Sequence, residues 1–293
     1  MSTTAVNMNT AQVIKTALAK IGDIATLPEV TTRIIAVVDD PKSTARDLHN
    51  IIKNDPALAS RILKVVNSAF YGLPGQVSEI DRAIVLLGLS AVKNIAISAS
   101  ISRLFTSERI SDRFSARDIW KHSVAVAVAT RQMCCLLGKR PFAEEAFLAG
   151  LIHDLGLLVE RQAYPDGLAE IIRESAKGDR YLHELEMEII GADHQTLGSA
   201  LAAKWKFPRV LQTVLGYHHK IDNLGPDHRL LPAMVYVADT LCCHEHFGFH
   251  LTAAHQVIDE TLLVSIGLTE AQLEELRAEL PEQIEAAEAM LTG

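Results

Sequence analysis

Residues 55–70 read DPALASRILKVVNSAF. Leu58, Ile62, Leu63, Val66 and Phe70 return every three or four positions, a spacing that lines one face of a helix and cannot line one face of a strand. Asp55 ahead of Pro56 supplies a capping carboxylate followed by a ring already set to the helical φ, so a helix starts here. Gly72, Pro74 and Gly75 end it. The same periodicity continues on both sides. Ser78 with Asp81 reads as a capping box opening a helix over 80–87, Gly88 interrupts, and Ser90 caps a helix carrying Val92, Ile95, Ala96 and Ile101. Downstream, helices are predicted over 120–137, 143–161, 167–176, 182–190, 193–205, 208–219 and 231–246, with a loop over 222–229. A final acidic helix opens at Thr269 and Gln272, and Pro281 should bend or break it. No period-2 run bounded by turn residues interrupts this pattern, so the predicted fold class is all-α, an N-terminal helical subdomain packed on a helical bundle.

The polar stretch Ser107, Glu108, Arg109, Ser111, Asp112 and Arg113 reads as a boundary. It divides the chain into an N-terminal helical subdomain (24–111), a second helical unit (112–250) and a C-terminal helical extension (251–293). At 293 residues and 48% hydrophobic content the chain has the means to bury a large core. A formal net charge of -8 repels phosphate backbones, so no nucleic-acid partner is expected; the cations Lys93, Arg103, Arg109 and Arg113 are interrupted by Glu108 and Asp112. Met1–Thr10 lacks the basic start and apolar run of a signal peptide. The longest apolar stretch, Ala83–Ile101, is broken by Ser90, Lys93 and Asn94, short of the roughly 20 apolar residues that cross a bilayer. The expected location is cytoplasmic, with no membrane partner. Cys134-Cys135 and Cys242-Cys243 form no C-x-x-C and read as reduced thiols packed in cores.

His122, His153, His194, His218 and His219 each fall on or at the end of a predicted helix, with Asp154 and Asp239 on helices as well. An ionised carboxylate on an apolar face such as that of Val235, Asp239 and Cys242 is costly unless paired or bound to a cation. A divalent metal held from several helices would satisfy all seven groups together. Each piece alone has a plainer reading. His122 fits a hydrogen-bonded core histidine, His218-His219 fits a helix end complementing its dipole, and Asp239 fits a partner for a buried Arg or Lys. Asp118, one turn before His122, fits either a ligand or orienting role or a helix-start cap. The other histidines, His49, His183, His228, His244, His246, His250 and His255, stand in polar or terminal surroundings and read as surface residues.

The order histidine, His-Asp, histidine, His-His, Asp resembles the HD superfamily of metal-dependent phosphohydrolases, in the longer version seen in HD-GYP phosphodiesterases. Trp120-Lys121-His122-Ser123, the run Gly150-Leu151-Ile152-His153-Asp154-Leu155-Gly156, and His194-Gln195-Thr196-Leu197-Gly198-Ser199-Ala200-Leu201 followed by Trp205-Lys206-Phe207-Pro208 are similar to the HDOD branch in particular. In the first unit Leu27-Pro28, Asp55-Pro56-Ala57-Leu58, Val66-Asn67-Ser68-Ala69-Phe70-Tyr71 and Ala83-Ile84-Val85-Leu86-Leu87-Gly88 are similar to the pattern that precedes the HD-like part in that branch. The resemblance implies an HD-like metal-site subdomain over 112–250 and a bacterial signalling module acting on a protein partner. It implies one or two divalent transition ions: His122, His153, Asp154 and Asp239 would hold the first, and His194, His218 and His219 would complete a second, with Asp154 able to bridge. Mixed imidazole and carboxylate donors suit Fe or Mn first, with Zn or Ni as alternatives.

The resemblance also implies an alternative, a phosphohydrolase acting on a phosphorylated small molecule, in which Asp154 and His153 would be catalytic. The chain departs from the HD-GYP pattern. Leu157 stands where that family carries a lysine shortly after His-Asp, and no Gly-Tyr-Pro loop follows His218-His219. A missing lysine removes a stabiliser of negative charge in a phosphoryl transition state. The last helix, with Leu273, Leu276, Leu280 and Ile284 among glutamates, is expected either to dock on a partner or to lie on its own core.

Overall fold

A computed structural model describes residues 9–22, 27, 29–39, 42–68, 70–105, 110–178 and 180–292. The expected features at Ile24, Pro28, Ala69 and 106–109 lie outside the described residues, as does the side chain of Arg103. Sixteen α-helices and no strand are present among the described residues, as the sequence predicts. The first six are α1 (Thr10–Lys20), α2 (Glu29–Asp39), α3 (Ala45–Ile52), α4 (Pro56–Val66), α5 (Ile80–Leu87) and α6 (Leu89–Ile101). Then come α7 (Ala116–Leu136), α8 (Ala143–Ile152), α9 (Leu155–Ala163), α10 (Pro165–Ser175) and α11 (Leu182–Ile189). The rest are α12 (His194–Lys204), α13 (Arg209–Tyr217), α14 (Pro226–His244), α15 (Glu260–Ile266) and α16 (Glu270–Thr292).

The Asp55 carboxylate caps α4 by accepting from the Leu58 N–H at 2.9 Å. The helix stops at Val66, short of Phe70, because Asn67 exchanges two hydrogen bonds with the Val77 backbone at 2.6 and 2.7 Å and pins the loop. Phe70 and Tyr71 then turn toward α7 and α8. The Arg131 guanidinium lies 4.6 Å over the Phe70 ring, and Glu144 joins Arg131 Nε (3.0 Å) to the Tyr71 hydroxyl (2.7 Å).

Buried α7 is the axis of the molecule, packed by α8, α14 and α16. Gly150 lets α8 lie flush on it, since a Cβ there would stand 2.8 Å from the Ala127 Cα and the Val126 carbonyl. Leu273, Leu276, Leu280 and Ile284 are buried, so the apolar face of α16 is covered by the molecule itself, and the helix runs through Pro281 unbroken. The Thr269–Gln272 capping box forms as expected.

Four local expectations fail for physical reasons. Gly88, at φ 91, ends α5 and begins α6 at once, so Ser90 has no cap position to fill; Glu79 precedes α5 in place of a Ser78 cap. The expected loop over 222–229 is already helical from Pro226, whose ring suits a first helical position. No helix is expected before Ile24, yet Val13 and Ala17 on α1 and Ile21 just beyond it are buried against α9 and α12, and the Tyr164 hydroxyl donates to the Val13 carbonyl at 3.1 Å. The helix expected over 143–161 is divided at His153-Asp154, where Asp154 takes φ -97 and ψ 19. Neighbouring side chains on a straight helix diverge by about 100°, so the break is what lets both groups face one point.

Candidate metal centre

Five structural elements deliver the seven predicted side chains to one place. His122 projects from the second turn of α7, His153 and Asp154 from the α8–α9 break, His194 from the first residue of α12, His218 and His219 from the end of α13, and Asp239 from the middle of α14. All seven side chains are fully buried. His153 Nε2 stands 3.2 Å from Asp154 Oδ2 and 3.9 Å from Asp239 Oδ1, so one imidazole separates the two carboxylates. His122 Nε2 is 2.9 Å from Asp239 Oδ1 and 3.8 Å from Asp154 Oδ2. On the other side of Asp154, Oδ1 is 3.6 Å from His194 Nε2 and 3.5 Å from His218 Nε2. His219 Nδ1 is 3.6 Å from Asp239 Oδ2.

The far ring nitrogens explain why the near ones face inward. Nδ1 of His122, His153 and His218 lies within hydrogen-bond reach of the carbonyls of Phe247 (3.2 Å), Gly150 (2.7 Å) and Val214 (3.0 Å), and Nδ1 of His194 meets the Glu186 carboxylate at 2.8 Å. An acceptor at Nδ1 favours a proton there and turns Nε2 inward, the arrangement that metal-binding histidines require, with His122 Nε2 meeting Asp239 Oδ1 and the Nε2 atoms of His194 and His218 meeting each other at 3.3 Å. His219 differs, its Nδ1 meeting the Gln256 amide. Both oxygens of Asp154, Asp239 Oδ2, His153 Nε2 and His219 Nε2 make no hydrogen bond among the described residues. These atoms approach one another closely without the alignment of hydrogen bonds, which is how ligands stand when they aim at a common ion.

Burial works to raise the Asp154 carboxyl, and the imidazoles of His153, His218 and His194 outweigh it, holding it well below the usual range. Asp239 is likewise held low, against burial, by His122 and then His219. Burial works against charge on His194, but Glu186 and then Asp154 push it up to about 9. Burial holds His219 well below the usual value, with His218 adding to it. An ion must therefore displace a proton from His194. We expect metal affinity to rise at least about tenfold per pH unit from pH 7 to 9, and Glu186→Gln to flatten that slope. Competition with a chelator across this range measures it; a flat wild-type profile would contradict the assignment.

Sequence reasoning missed the surrounding carboxylates. Glu186 shares the buried face of α11 with Leu182 and Leu185, a position that was legible from its spacing. Glu160, on α9, is fully buried, both oxygens lacking a hydrogen-bond partner among the described residues; burial first, then Glu186, Asp193 and Asp154, push its carboxyl well above the usual range. Asp118 takes the capping role: its Oδ2 accepts from the Ser115 N–H and hydroxyl, each at 2.7 Å. The segment after α14 crosses the centre as a strap. Phe247 meets His122, the Phe249 N–H donates to the Asp118 carbonyl at 2.9 Å, and Gln256 meets His219. Gly248, at φ 70, allows this crossing, since a Cβ there would lie 2.3 Å from the Asp118 carbonyl oxygen.

A helical fold with this buried histidine and aspartate cluster defines a class, and comparison identifies the family. The HDOD domain model matches residues 24–221, and the chain belongs to the HDOD domain family. Six of the seven clustered residues fall inside that span, and Asp239 lies beyond it. An uncharacterized protein of Treponema pallidum (strain Nichols) is 25% identical over 220 residues, 75% of this chain and 42% of the relative, so the chain spans less than half the length of that curated relative. Among solved structures, an HDOD domain protein with unknown function from Geobacter sulfurreducens superposes with a TM-score of 0.80 at 20% identity, covering 96% of this chain and 99% of that one. A protein named provisionally as a phosphohydrolase from Shewanella amazonensis SB2B gives 0.72 at 23% identity, covering 94% and 98%. At these identities the likeness is one of fold. No helix among the described residues is long and apolar enough to cross a membrane.

Proposed function

We propose that the chain is an HDOD signalling module that holds one or two divalent transition ions, Fe or Mn before Zn or Ni, and acts through contacts with a protein partner. The observation that carries this reading is the set of fully buried imidazoles and carboxylates that converge from α7, the α8–α9 break, α12, α13 and α14, with both Asp154 oxygens, His153 Nε2, His219 Nε2 and Asp239 Oδ2 making no hydrogen bond among the described residues. His122, His153, Asp154 and Asp239 would hold one ion and His194, His218 and His219 a second, with Asp154 between them. A bound ion would neutralise the two carboxylates and join these helices, so its loading would set the packing of the 112–250 unit on the 24–111 and 251–293 units. A polypeptide partner would read that packing.

Regulation is favoured over turnover because the donor side chains are buried and the strap lies over them. Leu157, in the place where a lysine would face a phosphodiester, is buried in the core. The alternative is a metal-dependent phosphohydrolase in which Asp154 and His153 would be catalytic. It is supported by a cavity of about 600 Å³ that has His219 in its wall with Arg229, Tyr236 and Asp259, wide enough for a phosphorylated small molecule. The test is turnover of cyclic dinucleotides and simple phosphodiesters with Mn or Fe supplied. We expect none above background. Clear hydrolysis that vanishes in Asp154→Ala would overturn the signalling reading and make the chain a phosphohydrolase.

A further inference from the structure

We propose that Cys243 is a thiolate ligand of the metal centre, binding the ion held by His122 and Asp239. The inference rests on the metal-centre reading above and adds a donor of a different chemical class to it. Cys243 lies one helical turn after Asp239 on α14, so both side chains leave the same face. Its Sγ stands 3.4 Å from Asp239 Oδ1, and the sulfur, a nitrogen of His122 and an oxygen of Asp239 lie within 4.8 Å of one another. Ligands of one tetrahedral ion, with bonds of about 2.0–2.3 Å, stand roughly 3.3–3.6 Å apart, so the sulfur is already at ligand spacing from the carboxylate.

A buried thiol hydrogen-bonded to a carboxylate would show the same distance, and two further observations separate the readings. His153 Nε2, 3.9 Å from the same Asp239 Oδ1, belongs to a fully buried imidazole and makes no hydrogen bond among the described residues, so a donor atom beside this corner lacks a partner that an ion would supply. The His122 ring is held by Phe247 at Nδ1, which presents Nε2 to the same corner. Thr252, from the strap, places its hydroxyl 3.4 Å from both Cys243 Sγ and Asp239 Oδ1, where it can donate to whichever carries negative charge. Cys242, one residue earlier, is buried with no such contacts and serves as an internal control.

With Cys243 included, a divalent ion at this corner gains a thiolate beside the Asp239 carboxylate, the thiol proton leaving to solvent on binding, while Asp154 is shared with the second ion. A sulfur donor shifts preference at this position toward Zn or Fe(II) and away from Mn. The other end of the centre, formed by Asp154, His194, His218 and His219, offers only imidazole and carboxylate donors. The two ends would therefore discriminate among metals differently.

The experiment is cobalt(II) loading of the metal-free chain, followed by its absorption spectrum. A near-ultraviolet thiolate-to-cobalt charge-transfer band is expected in wild type and in Cys242→Ser. In Cys243→Ser that band should be lost while the visible cobalt bands remain. The same charge-transfer band in Cys243→Ser, or cobalt-loaded wild type without one, overturns the thiolate assignment and leaves the rest of the centre standing. Wild type that takes up no cobalt overturns the metal-centre reading and the thiolate with it. Should Cys243→Ser fail to fold, the wild-type spectrum compared with that of Cys243→Ala decides the same question.

Discussion

Replacing Asp154 with alanine is expected to strip the centre of metal while leaving the chain folded. Asp154 Oδ1 faces His194 and His218, and Oδ2 faces His153 and His122, so this one carboxylate stands between the two halves of the cluster. Its loss should weaken binding by more than the roughly 10–100-fold that removal of an outer hydrogen-bond partner costs. The metal-free fold should survive, because neither oxygen makes a hydrogen bond among the described residues and removing them orphans no donor. Asp118→Ala is the paired control. It removes the α7 cap at a cost of about 1 kcal/mol and should leave metal content unchanged. Metal content and circular dichroism of the two variants decide the matter. A folded Asp154→Ala that keeps its metal would contradict the assignment.

The largest expected loss of stability belongs to Gly156→Ala. A Cβ at Gly156 would lie 1.8 Å from the carbonyl oxygen of His194 and 2.5 Å from its carbon, against backbone that has no rotamer to yield. α9 and α12 must part, and His194 moves with α12. We expect a loss of at least about 3 kcal/mol. On a chain of this size that lowers Tm by roughly 6–12 °C, and the altered chain should retain less metal. Gly138→Ala, at φ 69 with nothing within 4 Å of the added carbon, carries only backbone strain and should cost about 1–2 kcal/mol. Thermal unfolding of both variants tests this, and a Gly156→Ala protein that melts with wild type would refute the close approach of α9 to α12.

These two residues also show what was readable in advance. Period and caps revealed the helices around Leu58 and Ile62, and the order of His122, His153-Asp154, His194, His218-His219 and Asp239 marked the cluster before any distance was known. Spacing alone did not reveal the break at Asp154, because Leu155, Leu157 and Leu158 continue a helical apolar pattern. Only the need for adjacent side chains to converge breaks it. α1 was missed because Val13, Ala17 and Ile21 form a narrow stripe in an otherwise polar start, and what buries them is α9 and α12 far along the chain. Glu160 and the strap residues Gly248, Thr252 and Gln256 carry no local signal, since their roles arise from a loop folding back over α7 and α14.

Elemental analysis of the full chain, purified without added metal, tests the central claim most directly. We predict one or two equivalents of a divalent transition metal per chain, Fe or Mn ahead of Zn or Ni, and little or none in Asp154→Ala. Wild-type protein that carries no transition metal, and takes none up when the ions are supplied, would contradict the account and reduce the seven buried groups to a structural cluster.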